Sequence, residues 1–170
     1  MNATLPGSLE ELMSLACALE AEAAERYAEL AAQLVGHHNG QVAKLFAKLA
    51  QIEGLHRDQI LQRMGWSEPP DPSAYRWETP EAPETTAYGE LHYLMTPWHA
   101  LKLAEHNERR AAAFFESLAA ASLPEDVRAE AAEMAAEERE HVLLILEWIG
   151  KVPAPDAGWD EDVDPPVAVD

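Results

Sequence analysis

Residues 8–65 read SLEELMSLACALEAEAAERYAELAAQLVGHHNGQVAKLFAKLAQIEGLHRDQILQRMG. Ala, Glu, Leu and Arg dominate, and all four favour helix. β-branched residues are scarce, which argues against a sheet. Ser8-Leu-Glu-Glu11 has the form of a capping box, so a first helix is expected to start near Ser8 and run to about Val35. Gly36-His37-His38-Asn39-Gly40 reads as a turn with a glycine at each end. A second helix follows from about Gln41 to Met64 and stops at Gly65, because glycine accepts the left-handed cap conformation. Two helices joined by so short a turn must run antiparallel.

The same composition returns over residues 98–149. Thr96-Pro97 offers a cap and a first-turn proline for a third helix, running to about Ala121. Ser122-Leu123-Pro124 is the next turn. A fourth helix is expected from about Pro124 to Ile149, ending at Gly150. Five of the 12 prolines fall within residues 65–89, so no long helix can pass through that connection. A short helix is expected around Glu90 to Met95. The pattern predicts an all-α four-helix bundle: two antiparallel hairpins joined by a long crossover. The bundle would span residues 1–150 with its crossover at 65–96. Residues 151–170 would form an acidic, proline-rich tail, with Trp159 as its anchor.

Charge narrows the partners. Against 31 Asp and Glu stand 12 Lys and Arg, for a net charge of −19 over 170 residues. Such a field repels phosphate and attracts cations, so nucleic acid is excluded as a natural partner. No run approaches the ~18–20 apolar residues of a membrane span. Cys17 is the single cysteine, which rules out an internal disulfide, a thiolate zinc site and an iron–sulfur centre. The N-terminus lacks a basic stretch, so no secretory signal is expected and a cytoplasmic setting is the default.

Two Glu-x-x-His strings occur, Glu53-Gly-Leu-His56 and Glu138-Arg-Glu-His141. On a helix, residues i and i+3 share a face, so each pair can hold one ion. In a chain so rich in Glu the strings alone are weak evidence; their placement is stronger. Glu53 lies 33 residues after Glu20, and Glu138 lies 33 after Glu105. A shift of 85 carries Glu20 onto Glu105, Glu53 onto Glu138, His56 onto His141 and Gly65 onto Gly150, which is an internal repeat. All four glutamates then meet near one level of the bundle. Bare, they would repel one another and take up protons. Two divalent cations balance four ionised carboxylates, and two neutral imidazoles complete the donor set. Carboxylate with imidazole suits iron or manganese.

On these residues the chain resembles the rubrerythrin and ferritin-like family of di-iron carboxylate proteins. Glu20-Ala-Glu-Ala-Ala-Glu-Arg26-Tyr27 is similar to the family's ligand Glu followed seven residues later by Tyr, and Glu105-His-Asn-Glu108 to its pair of glutamates on the third helix. The resemblance implies two Fe ions, with Mn or Zn as substitutes, and metal ligands Glu20, Glu53, His56, Glu105, Glu108, Glu138 and His141. It casts Glu20 as terminal, Glu105 as bridging and Glu108 as an extra carboxylate. It implies a soluble homo-oligomer, a dimer or larger. The family's rubredoxin domain needs four cysteines, and none follows residue 17. Electrons would therefore come from a separate donor, such as a rubredoxin-like or flavin protein. The family's tyrosines after the third-helix Glu pair are also missing, with Arg109, Ala113 and Phe114 nearby.

Other residues carry plainer readings. Tyr27 is either a hydrogen-bond partner of a ligand carboxylate or an ordinary core tyrosine. Cys17 reads as a small buried hydrophobe. His92, His99 and His106 recur every seven residues and read as a polar stripe or interface rather than a second metal site. Four functions fit: reduction of hydrogen peroxide or dioxygen with oxidation of Fe(II), ferroxidase action in iron handling, hydroxylation of a small organic substrate, and a metal-free interaction bundle. Glu108 favours the first.

Overall fold

The computed structural model describes residues 5–36, 39–70 and 95–159. Four helices make up the fold: α1 Leu9–Gly36, α2 Gly40–Met64, α3 Pro97–Ala120 and α4 Glu125–Ile149. The expected helix ends fall within a residue of these limits. The short helix expected near Glu90 falls outside the described residues but for Met95, as does His92. α1 packs chiefly on α2 and α3 on α4, as two antiparallel hairpins. Among the described residues, no helix is long and apolar enough to cross a membrane.

Each helix end has a local cause. Ser8 Oγ accepts the Glu11 backbone N–H at 3.2 Å, and the Glu11 carboxylate accepts from Gly7 N at 2.6 Å, one residue before the partner of a standard capping box. Asn39 caps α2: its Oδ1 accepts from Val42 N at 3.4 Å, while its Nδ2 donates to the Met95 carbonyl at 2.6 Å. Gly65 closes α2 at φ 68°, which a side chain would resist. At the start of α3 the Thr96 backbone N–H donates to His99 Nδ1 at 3.0 Å. The other face of His99 meets Trp159, with ring centroids 3.7 Å apart, so the chain beyond α4 returns to the head of α3. The stripe reading of His99 thus becomes a cap and a packing contact.

Two apolar clusters fill the interior. One joins Tyr27, Leu30, Leu34, Val42 and Phe46 to Leu101 and Ile145. The other joins Leu12, Met13, Leu15 and Leu19 to Phe115, Val127 and Met134. Buried between them in chain order lie Glu20, Glu53, Glu108 and Glu138. A cored bundle holding four buried carboxylates at its waist requires something to neutralise them.

Candidate metal centre

The buried acids gather into two trios. Glu20 of α1 meets Glu53 and His56 of α2, and Glu108 of α3 meets Glu138 and His141 of α4. Within each trio one ligand atom from every residue lies within 4.8 Å of the others. His56 Nδ1 is 3.6 Å from both Glu20 Oε2 and Glu53 Oε2. His141 Nδ1 is hydrogen-bonded to Glu108 Oε2 at 3.2 Å. It lies 3.4 Å from Glu138 Oε2, near enough for attraction but not aligned for a hydrogen bond. The imidazoles of His56 and His141 stack, with centroids 4.5 Å apart and planes within 5°, so the trios adjoin across the two hairpins.

Electrostatics binds the trios into one site. Burial, then the charges of Glu53, Glu138 and Glu108, holds the Glu20 carboxyl well above the usual carboxylate range. Burial pushes Glu108 up to about 8; the His141 hydrogen bond opposes this, and the charges of Glu53 and Glu138 add to it. Burial is also the largest influence on His141, where it disfavours charge. The hydrogen bond to Glu108 and the nearby Glu138 outweigh it together and lift the imidazole to about 10. Glu20 Oε2 and Glu138 Oε2, one in each trio, are buried acceptors with no hydrogen-bond donor. Such atoms are costly unless a cation meets them. With carboxylate oxygens, imidazole nitrogens and no thiolate, the donor set fits a pair of divalent iron or manganese ions.

Glu105 lies outside both trios. Its residue is buried, yet its carboxylate is held by Lys102 and by Arg109, whose Nε donates at 2.9 Å. The cations lie three residues before and four after it, on the same helical stripe. Burial resists ionisation of Glu105, but these two partners outweigh it and lower its pKa. The α3 carboxylate that meets a histidine is Glu108. The sequence held the clue. Glu20 has Ala16, Ala23 and Ala24 at −4, +3 and +4 and Tyr27 at +7; Glu108 has Ala104, Ala111, Ala112 and Phe115 at the same offsets. A shift of 88, not 85, superposes these surroundings. Tyr27 sits two turns from Glu20, stacked on Phe46 with centroids 5.9 Å apart. Its hydroxyl accepts from Asn107 Nδ2 at 3.3 Å. Cys17 is buried, and burial raises its thiol pKa, which leaves it a packing residue.

The rubrerythrin family model matches residues 11–147. The chain belongs to the rubrerythrin family. A solved structure of an uncharacterized conserved protein from Magnetospirillum magnetotacticum MS-1 is similar to it, at 42% identity and a TM-score of 0.63, over 88% of this chain and 98% of that one. No curated protein matches the chain. All four helices of this rubrerythrin-family bundle fall within or at the edges of the matched span, and both trios lie inside it.

Proposed function

We propose that the chain is a di-iron oxidoreductase that reduces hydrogen peroxide or dioxygen while oxidising Fe(II). The observation that carries this reading is the pair of Glu-Glu-His trios, each with a buried carboxylate oxygen lacking a donor. Glu20, Glu53 and His56 would hold one ion, and Glu108, Glu138 and His141 the other. When bound, the two ions supply one electron each and a positive charge against which the peroxide O–O bond is polarised. The chain supplies the rest. The apolar clusters on either side keep bulk water from the carboxylates, which strengthens their hold on cations. Tyr27 enters as a positioning residue, since it fixes Asn107, the neighbour of Glu108. A separate electron donor, a homo-oligomer and a cytoplasmic setting complete the proposal. Ferroxidase action is the second reading, favoured by the net charge of −19, which draws Fe(II) as substrate towards the protein.

Elemental analysis of protein purified without added metal tests the centre, with two metal equivalents per chain expected. Glu53→Ala should leave at most one; two retained equivalents would show the ligand set to be wrong. Peroxide consumption with an added electron donor, set against oxygen-driven Fe(II) oxidation, ranks the two readings.

A further inference from the structure

A cavity of about 140 Å³ lies against the centre, walled by all four helices. Glu20, His56 and Glu138 form its reacting end. Met13, Ala16, Phe115 and Met134, all buried, form an apolar wall. On the solvent side, between α2 and α4, Arg63 bridges to Glu130 through two parallel hydrogen bonds of 2.5 and 2.7 Å. That fork ties the helices together at the cavity's edge and limits what can pass.

The cavity is larger than hydrogen peroxide requires, and although Gln59, Arg63, Glu130 and Glu137 line it as well, its apolar wall has no use for a molecule with two polar ends. A water molecule's share of liquid volume is about 30 Å³, so a two-oxygen molecule leaves much of the space empty and gains nothing from the thioethers and the phenyl ring. By volume alone, about 150 Å³ takes a molecule the size of benzene, and a lining apolar on one side and polar on the other suits an occupant with one apolar and one polar end. We propose that this cavity binds a small alkyl hydroperoxide of about four carbons, its alkyl group against Met13, Ala16, Phe115 and Met134 and its peroxide towards Glu20, His56 and Glu138. This deepens the peroxide-reducing reading above and rests on it. In the reaction the O–O bond breaks, and ROOH takes up two electrons and two protons to give ROH and water. The electrons come from two Fe(II), each becoming Fe(III) until the separate donor reduces it; the protons come from solvent.

tert-Butyl alcohol, the redox-inert product of tert-butyl hydroperoxide, probes the cavity in the metal-free protein. Expected are saturable NMR shifts at the Met13 and Met134 methyl groups, weakened at least tenfold in affinity by Ala16→Leu, which fills the space. In metal-loaded protein the same substitution should lower the ratio of tert-butyl hydroperoxide to hydrogen peroxide kcat/KM at least tenfold. Met134→Ala removes volume instead of adding it and should admit the bulkier cumene hydroperoxide, which serves if Ala16→Leu does not fold. Unsaturable shifts, or an unchanged ratio in both variants, would overturn the cavity assignment. Failure of wild-type protein to consume any hydroperoxide, with the shifts intact, would instead sink the peroxide-reducing reading and leave the binding site standing.

Discussion

The two trios have the same donors but balance their charge differently. In the second, His141 hydrogen-bonds Glu108 and is held protonated to about pH 10, so an imidazolium stands where a cation would. In the first, His56 stays 3.6 Å from both carboxylates, and burial and its neighbours hold the Glu20 carboxyl well above the usual carboxylate range. One half joins its histidine to a carboxylate by a hydrogen bond, and the other holds its histidine just beyond that distance from both carboxylates. Equal composition therefore does not give equal sites; the register of the third helix decides which carboxylate the histidine meets.

Metal loading should erase that contrast and have the largest effect. Each ion that binds only the folded chain adds about 2.7 kcal/mol at a hundredfold excess over its Kd, so excess chelator should lower the melting temperature of the loaded protein markedly. An unmoved melting curve would break the interpretation of both trios. Next comes His141→Ala in metal-free protein. It strips a cation from between two buried carboxylates and should cost up to about 3 kcal/mol, against a smaller loss for His56→Ala, as read by denaturant titration. Equal losses would show that the two halves do not differ.

Metal-free protein should also lose stability as pH rises. Glu108 has a folded pKa of about 8, above its ordinary 4.5, so its contribution is complete below 4.5 and lost as pH climbs through 8. His141, raised from 6.5 to about 10, acts in the same direction over a higher window. Melting temperature should fall between pH 5 and 9 without metal, and flatten with it. Smallest is Glu105→Gln. Its partners Lys102 and Arg109 are substantially exposed, so the change should cost less than about 1 kcal/mol and leave metal content intact.

Much of this was legible in the residues. Capping signals at Ser8, Thr96 and Gly65 and the prolines of the crossover mark the helices, because helix ends are settled by local hydrogen bonds. The two Glu-x-x-His strings and Glu20 come together as their spacing predicts. The 33-residue spacing matches two hairpins in length but carries no record of the direction in which each side chain leaves its helix, so it does not foresee Glu105 lying outside both trios. Lys102 and Arg109 draw Glu105 aside, while the alanines around Glu108 leave it facing inward. The cavity beside the centre was not legible at all. It forms where Met13, Phe115 and Met134, from three helices, stop short of filling the interior, and no local pattern records a volume.

The clasp at Asn39 makes two demands on one planar amide. Its oxygen serves α2 and its nitrogen grips the Met95 carbonyl, where the crossover rejoins the bundle. Aspartate would satisfy the first duty as well as asparagine does. It would fail the second, since two oxygens would then confront each other with no hydrogen between them. A preference that looks interchangeable along the chain becomes singular in space, and the hold on the returning crossover hangs on the half of the side chain that helix statistics do not weigh.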